Sequence, residues 1–445
     1  MKSIFIKSLC VTSVLMLFSL AAFAKWEVYS NNNLPEGITA VNGSSHIITD
    51  GNWIISVYRY ADDNWYLSKY NGHNGTGYIA GSGILDLRNL AEDCGVVLKG
   101  SNNGALEKNN NIIEVYFPDT YEVMIGNTFK DCKNLVKVDL GANFRIVGSE
   151  SFRFCSALKE IVLPETIEKV DTYGFNGCSS WELIDYTFPE SLKEIKDHSF
   201  TGCTKFSGSI TFPGLTAISG SWHFEDCASI TSFNAPKLTT TAYKMFNRCN
   251  SLKSVVFSPD LEILTSETLN DGPDITSFYP TVMPKLKEFG YAGLRGRRNL
   301  VGDFDLSQSS ITNLPKYAFV DCEKVGTVKL PETLVSLGEA ALGYGKNSRV
   351  VWFMGPPPAM DSDALNPKGG DPWVLVGGVK YVKEWEESEN LLPFDSADEK
   401  AKAYAAIKKF NLSGVAPVGK WKYQTGGYTH YVGVETPKGS ILIIR

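Results

Sequence analysis

The chain has 445 residues, of which 43% are hydrophobic, and its formal net charge at pH 7 is −6. This supplies enough apolar material for a large continuous core. The mild acidic excess offers no basic footprint, so the composition argues against a nucleic-acid partner.

The N-terminal residues 1–24 predict a cleavable secretory signal. Lys2 and Lys7 come before or at the start of the apolar run Leu9 to Ala22, and Ala22-Phe23-Ala24 has the small-x-small ending of a cleavage site. That run is too short to cross a membrane, and no later stretch reaches the roughly 20 apolar residues that a span needs. We expect an exported chain that begins near Lys25 and resides at the cell surface, in the medium or in the periplasm.

Residues 25–84 are rich in aromatic side chains and predict a β-rich N-terminal cap. The alternating segments 53–60 and 65–70 flank the polar turn Ala61-Asp62-Asp63-Asn64, which indicates a β-hairpin. We expect the hairpin to cover the open edge of the body that follows, because an exposed strand edge invites pairing with other chains. The alternative is that its aromatic side chains, including Trp53 and Trp65, bind a ligand.

A Phe-x-x-Cys motif recurs at a period of 22 to 25 residues and is the strongest signal in the chain. Its copies begin at Phe129, Phe152, Phe175, Phe200, Phe224, Phe246 and Phe319. Leucine continues the same column at Leu106, Leu269, Leu294, Leu342 and, as a terminal remnant, Leu365. Self-similarity at this period predicts a solenoid of about eleven stacked units over residues 85–365, which share one core.

The best-preserved unit, from Leu158 to Trp181, indicates how a coil is built. Lys159 to Leu163 alternates and stops at Pro164, which has no N–H for a sheet, so stacked copies predict a parallel sheet of short strands. The segment Asp171 to Ser180 predicts a tight turn or one helical turn on the opposite flank. The predicted inward side chains are Leu158, Ile161, Leu163, Ile167, Val170, Phe175 and Cys178.

Eight cysteines follow residue 24, namely Cys94 and the seven of the repeat. An even number in an exported protein suggests disulfides. In one column of a solenoid, however, cysteines lie at least the strand spacing of about 4.8 Å apart, which is marginal for disulfide geometry. We favour free buried thiols that act as small hydrophobic groups, and disulfide pairing stays open.

The full repeat is apolar-x-x-apolar-x-apolar-Pro, then apolar-x-x-apolar, then small-Phe-x-x-Cys-x-x-Leu. This pattern resembles the BspA-like leucine-rich repeats of bacterial surface and secreted proteins. The cysteine is replaced at Gly272, Arg297 and Gly345, and the first unit, 85–111, is atypical. The resemblance implies an α/β-type solenoid dominated by short parallel β-strands and wound as a right-handed superhelix.

Two segments complete the chain after the solenoid. Residues 366–395 resemble the closing segment of the same family, with Gly377 where a proline is usual. Residues 396–445 predict a small α+β unit, in which Ser396 and Glu399 form a capping box that starts a helix reaching Phe410. Turns at 426–427 and 437–439 separate three predicted strands, the last over 441–445. The sequence assigns this unit no function.

No motif of catalytic, metal or cofactor chemistry stands out. The G-x-S-x-G, H-E-x-x-H, P-loop and paired C-x-x-C patterns do not occur. His198 and His223 occupy different columns of the repeat, and Asp361-Ser362-Asp363 lacks the glycine and distant glutamate of a calcium loop. We therefore predict a protein that is not an enzyme and that needs neither cofactor nor metal. An active site hidden in residues 366–445 is the alternative.

The exposed face of the short strands is the candidate ligand-binding surface. If side chains alternate, its polar and aromatic residues are Glu114, Tyr116, Lys137, Asp139, Glu160, Asp185, Thr187, Ser209, Thr211, Ser232, Asn234, Ser254, Ser277, Tyr279, Asp303, Asp305, Thr327 and Lys329. Val162 and Val256 are outward in the same register. Simple solvation is an equally good explanation of a polar face. A long row of hydrogen-bonding groups nevertheless suits a protein or glycan partner, because many modest contacts add up.

Arg295-Gly296-Arg297-Arg298 places arginines where other units have the cysteine turn. We expect a bulged, solvated turn there. The alternative is a docking point for an acidic ligand.

These observations favour an exported, non-catalytic recognition or adhesion scaffold. The family resemblance implies attachment to host matrix proteins or to other cells, so the expected partner is a host or bacterial surface protein. The alternative is a carbohydrate-binding component of a nutrient-capture system, in which tryptophans and tyrosines of the end units stack on sugar rings. The sequence leaves the oligomeric state open.

Overall fold

The computed structural model describes residues 25–29, 45–60, 64–69, 81–269, 272, 274–343, 350–361, 363–365, 374–377, 391–393, 396–409, 415–425 and 428–435. It confirms the predicted solenoid, a stack of about eleven coils built from parallel strands with very little helix. Most coils contribute two short strands, and we call the two stacks the first-strand column and the second-strand column.

The first-strand column is the parallel sheet that the alternating segments predicted. Each strand pairs with its counterpart one coil away, as in the register Glu114, Lys137, Glu160. The strands are Gly83–Asp86, Ile112–Tyr116, Lys137–Asp139, Glu160–Val162, Leu183–Ile184, Phe206–Thr211, Ser229–Asn234, Ser254–Val256, Ser277–Tyr279, Gly302–Asp305, Val325–Leu330, Val350–Phe353 and Val374–Gly377.

The second-strand column lies on another flank of each coil, and the sequence analysis assigned it no strand. It is formed by the apolar-x-x-apolar segment that follows the proline, and most of its strands have only two residues. They are Leu98–Ser101, Val123–Met124, Ile146–Val147, Lys169–Val170, Glu194–Ile195, Ala217–Ile218, Ile263–Leu264, Glu288–Phe289, Asn313–Leu314, Ser336–Leu337 and Ala359–Met360.

The core is a continuous column of side chains along the axis. Phe129, Phe152, Phe175, Phe200, Phe224 and Phe246 are all buried, and successive rings stack with centroids 5.1–5.9 Å apart and planes within 15°. The seven inward side chains predicted for the unit 158–181 are all buried. Offset stacking and burial both stabilise this arrangement.

The eight cysteines that the structure describes are free thiols, and the seven of the repeat are buried. Each of these seven donates a hydrogen bond to a main-chain carbonyl of an earlier coil; for example, the Sγ of Cys178 lies 3.1 Å from the Phe152 oxygen. Cysteine fits this column because it is small and apolar, and its S–H adds a second hydrogen bond to a carbonyl that already accepts a main-chain N–H.

The flank between the second strand and the next first strand consists of tight turns, which was one of the two predicted forms. The N–H of Cys178 donates to the Phe175 oxygen within the turn, and the N–H of Phe175 donates to the Ser199 oxygen of the next coil. Gly177, just before the cysteine, has a φ of 78°. Other coils place aspartate, arginine or even Phe154 in this left-handed region, so coil stacking imposes the turn on unfavourable residues.

The N-terminal cap extends the second-strand column. Its strands are Glu27–Tyr29, Ser45–Thr49, Ile54–Arg59 and Trp65–Ser68, and they pair antiparallel in that order. The predicted hairpin is therefore confirmed, with Arg59 opposite Trp65. Trp65–Ser68 then pairs in parallel with Leu98–Ser101, so the cap covers that strand edge. A short helix, Leu90–Cys94, precedes the first full coil.

The C-terminal strands extend the first-strand column. Tyr428–Glu435 pairs in parallel with Val374–Gly377, Val415–Thr425 pairs antiparallel with Tyr428–Glu435, and Leu391–Pro393 closes this sheet. The helix Ala397–Lys409 begins as predicted after Ser396, whose Oγ accepts the Glu399 N–H at 3.2 Å. The strand predicted over 441–445 lies outside the described residues.

Candidate functional site

The outward face of the first-strand column carries the predicted candidate residues. None of the eighteen is buried. These residues are distributed along the solenoid and do not converge on a single pocket. Three stretches of this face differ in chemistry, and two interruptions of the sheet separate them.

The first stretch is a charged ladder. Glu114, Lys137 and Glu160 are in register, and the Lys137 Nζ lies 3.1 Å from a Glu160 carboxylate oxygen. Tyr116 donates its hydroxyl to Glu114 at 2.6 Å, and this hydrogen bond raises the pKa of Tyr116. The Arg88 guanidinium lies 4.6 Å from the Tyr116 ring centroid. These groups largely satisfy one another, so the stretch is a rigid, ordered polar surface.

The middle stretch is a ladder of small hydroxyl side chains. Ser209, Ser232, Ser254 and Ser277 are in register across four adjacent strands. Ser254 donates its hydroxyl to Ser232 at 2.9 Å. Thr211, Asn234, Val256 and the exposed Tyr279 form a second row beside it. Such a surface is flat and offers many neutral donors and acceptors.

The first interruption lies between Glu160–Val162 and Leu183–Ile184, which belong to different sheets. Beyond it, Ile184 pairs with Ser207 but Thr187 pairs with Thr211, so the register slips by one residue. Asp185 lies within this slip, and its Oδ1 accepts the Ser209 N–H at 2.8 Å. A carboxylate thus replaces a main-chain carbonyl as the acceptor.

The second interruption lies between Ser277–Tyr279 and Gly302–Asp305. Here Gly302 pairs with Val325 but Phe304 pairs with Val328, which is the same one-residue slip. Asp303 lies within it, and its Oδ1 accepts the Thr327 N–H at 2.6 Å. The two interruptions therefore share one local structure.

A groove of about 530 Å³ opens on the face at the second interruption. A volume of this size lies within the range of ligand pockets. Four of the predicted residues meet there, so this is where the structure concentrates the candidate set. Its lining residues are Thr281, Val282, Asp303, Phe304, Asp305, Thr327, Lys329 and Trp352.

The groove carries more acid than base. The Lys329 Nζ lies 3.0 Å from an Asp305 carboxylate oxygen. Partial burial alone would raise the pKa of Asp305, but hydrogen bonds from Ser307 and the ion pair with Lys329 lower it overall. Asp303 is exposed, and among the described residues no cation lies within 4 Å of its carboxylate. Among the described residues, the groove thus holds two carboxylates and one cation.

Trp352 is one of four groove residues outside the predicted set; the others are Thr281, Val282 and Phe304. Trp352 pairs with Lys329 in the register of the sheet and is half-buried. Extending the outward register by one more coil, from Thr327 and Lys329 to Val350 and Trp352, identifies it. The last Phe-x-x-Cys motif lies one coil earlier, at Phe319, so only the strand register points to Trp352.

The residues 99–186, 180–301 and 301–351 match the family model of the BspA type Leucine rich repeat region, in six copies. These matches span more than half of the sequence and include the groove up to Lys329. The chain belongs to the BspA-type leucine-rich-repeat family. No curated protein matches it.

Solved structures similar to this BspA-type chain have low identity. A leucine-rich repeat protein from Bacteroides ovatus is 17% identical with a TM-score of 0.32, and the match covers 67% of this chain and 92% of that one. A leucine rich cell surface protein from Faecalibacterium prausnitzii is 16% identical with a TM-score of 0.31, covering 77% and 91%. The pneumococcal vaccine antigen PcpA is 12% identical with a TM-score of 0.31, covering 76% and 95%. Likenesses at this level carry no functional information.

Trp53 of the cap is not available for the sugar stacking that was the alternative for this BspA-type protein. Trp53 is fully buried, and its indole N–H donates to the Ile84 oxygen at 2.5 Å. Trp65 is half-buried against the core. Its ring centroid lies 5.1 Å from that of His46, with the two rings edge to face, and 5.6 Å from the Arg59 guanidinium carbon. Trp53 therefore acts as core of the cap.

The arginine turn also differs from the expectation. Arg297, in the cysteine column, is only 7% exposed, and its Nε donates to the Arg295 oxygen at 2.8 Å. Gly296 has the left-handed φ of 75° found at this position in other coils. The predicted bulged, solvated turn is wrong for Arg297, because its side chain folds back into the BspA-type turn.

Within the part of the chain that the structure describes, no group of three or more His, Cys, Asp or Glu side chains is arranged to hold a metal ion. None of the helices in that part is long and apolar enough to cross a bilayer.

Proposed function

We propose that this protein is a non-catalytic, exported scaffold for recognition or adhesion, and that it binds a host or bacterial surface protein through the outward face of the first-strand column. Members of the BspA-type repeat family are surface-associated proteins. Export is inferred from residues 1–24, which lie outside the described residues.

The observation that carries this proposal is the continuity of the face. The predicted residues of ten successive coils, from Glu114 to Lys329, all stay unburied on this face, and their row continues across the two interruptions of the strand pairing. Protein interfaces need a broad surface with many hydrogen-bonding groups around a few apolar anchors. Val282, which lines the groove, and Tyr279, at the end of the strand before it, supply such anchors, with exposed fractions of 56% and 48%.

Surface plasmon resonance with the chain 25–445 tests the proposal against a panel of purified extracellular-matrix proteins, with a glycan array in parallel. We expect at least one protein ligand whose Kd rises tenfold or more in the double variant Ser232→Arg/Ser254→Arg, which places two bulky charges in the middle of the face. The control Thr216→Arg/Ala217→Arg changes exposed residues at the start of a second strand and should leave that Kd unchanged.

Two outcomes would contradict the proposal. One is a chain that binds glycans and no protein of the panel. The other is an equal loss of protein binding in the two double variants, because it would place the contact elsewhere or reflect unfolding.

A further inference from the structure

The groove at the second interruption has a composition that the rest of the face lacks. It combines an aromatic ring, two carboxylates and aliphatic carbon in one concave site, through Trp352, Asp303, Asp305 and Val282. Elsewhere on the face, acids and bases lie in flat ladders. Interaction energy concentrates where a side chain enters a pocket and loses its contact with water.

The charge of the groove selects a cation. Lys329 neutralises Asp305 at 3.0 Å, so within the described part of the chain the Asp303 carboxylate is the excess charge of the groove. The Oδ1 of Asp303 accepts the Thr327 N–H, and an ionised carboxylate has acceptor sites on both oxygens. A bound cation would gain a charge-assisted hydrogen bond, whereas an anion would be repelled.

The aromatic and aliphatic side chains of the groove favour a cation with a long apolar stem. Trp352 is half-buried, and tryptophan is the aromatic ring that attracts a guanidinium or ammonium group most strongly. The exposed Val282 provides aliphatic surface along which the methylene stem of such a side chain can lie. The volume of about 530 Å³ exceeds one side chain and leaves room for its neighbouring residues.

We propose that this groove holds an arginine or lysine side chain of the protein ligand, with the cationic group between Asp303 and Trp352. The inference rests on the proposed protein-binding function and specifies its partner as a segment with an exposed basic residue. A neutral sugar could stack on Trp352 but would leave the charge of Asp303 uncompensated, so the observations favour the basic side chain.

The test uses the blocked peptide Ac-Gly-Arg-Gly-NH2 as the probe and the full mature chain labelled with ¹⁵N in its tryptophan indoles. The Trp352 indole signal is assigned by its absence in Trp352→Phe. We expect a saturable shift of this signal with the arginine peptide and none with Ac-Gly-Glu-Gly-NH2. Asp303→Asn keeps an oxygen for the Thr327 N–H but removes the charge, and it should raise the Kd at least fivefold.

Asp260→Asn is the matched control. Asp260 is exposed and pairs with Lys285 at 2.9 Å, outside the groove, so its neutralisation removes one negative charge without touching the site. It should leave the Kd of the arginine peptide unchanged. Equal effects of the two substitutions would overturn the inference, as would a Trp352 shift with N-acetylglucosamine or maltose and none with the arginine peptide.

The two proposals fail separately. If the arginine peptide binds at Trp352 but no matrix protein binds the chain, the groove inference stands and the proposed function fails. Suppose instead that a matrix protein binds, and that Asp303→Asn changes neither the Kd of that protein nor the Kd of the arginine peptide. The proposed function then stands and the groove inference is wrong.

Discussion

The two interruptions of the first-strand column are built alike, yet they lie over different cores. In both, the register slips by one residue, and an aspartate, Asp185 or Asp303, accepts an N–H of the next coil. Beneath the first, the rings of Phe152, Phe175 and Phe200 stack without a break. The same column beneath the second holds leucines, including Leu294.

Aromatic packing at the second interruption moves beneath the first strands. The ring centroid of Phe304 lies 6.1 Å from that of Phe278 and 5.2 Å from that of Phe319, and the ring planes are inclined by 46° and 71°. The sheet is broken at both places and the coils stay stacked at both. The comparison teaches that side-chain columns and turn hydrogen bonds hold the coils together, while the sheet ladder tolerates local loss.

The largest expected effect concerns the stacked column itself. Phe175→Ala should lower the free energy of unfolding by about 3–5 kcal/mol, because it leaves a cavity between two rings. Leu294→Ala at the second interruption removes fewer atoms and no ring contact, so it should cost less, about 3 kcal/mol. Urea denaturation followed by circular dichroism measures both. A change below about 1 kcal/mol for Phe175→Ala would mean that the ring column does not hold the coils together at the first interruption.

The sequence predicted the parts of the fold that repeat identically. The inward column from Leu158 to Cys178, the strand end at Pro164 and the outward row follow from alternation and period, and the structure confirms the column and the strand. The second strands escaped prediction because a two-residue strand such as Lys169–Val170 is too short to show a period of two.

The interruptions and the groove could not be read from the period. They depend on which residue pairs with which, and one extra residue shifts a whole strand. The spacing from Leu300 to Phe304 is four residues where Leu158 to Ile161 is three, so a visible insertion does mark the second interruption. Its consequence, an aspartate that bonds to the next coil in a groove also lined by Trp352, required the three-dimensional register.

Acid should distinguish the middle stretch from the second interruption, because the residue before the ring column differs. At Phe224 this residue is His223, which is fully buried, and burial lowers its pKa to about 4. At Leu294 and Phe319 it is Gly293 or Ala318, which do not titrate. An unfolded histidine has a pKa near 6.5, so the unfolded state takes up a proton first as the pH falls below that value.

The stability contributed by a neutral His223 is therefore lost between pH 6.5 and about pH 4. We expect a loss of about 2–3 kcal/mol between pH 7 and pH 4.5 in the parent chain, in excess of that in His223→Met. Methionine is a suitable replacement because Met245 fills the same column, buried, one coil later. Parallel pH profiles of the two chains in urea titrations would show that His223 is not the sensitive group.

The glycines opposite the two aspartates should respond unequally. Gly208 has a φ of 70°, and an added Cβ would meet the Asp185 carboxylate. Gly326 is not in the left-handed region, and its added Cβ would lie 2.6 Å from the Asp303 Oδ1, which can move. We expect Gly208→Ala to cost about 2 kcal/mol and Gly326→Ala about 1 kcal/mol. Equal losses in thermal or urea unfolding would mean that backbone strain contributes nothing at the first interruption.

The smallest expected effect is the loss of the aspartate acceptors themselves. Asp185→Ala and Asp303→Ala each leave one main-chain N–H, of Ser209 or Thr327, to water, which should cost about 1 kcal/mol because both sites are exposed. Asp185 has a φ of 47°, which alanine tolerates less well, so its loss should be slightly greater. Asparagine at either position keeps the acceptor and should restore most of the stability in urea titrations. If asparagine restores nothing, the charge and not the hydrogen bond holds the slipped strands, and the two interruptions are then electrostatic features of the face.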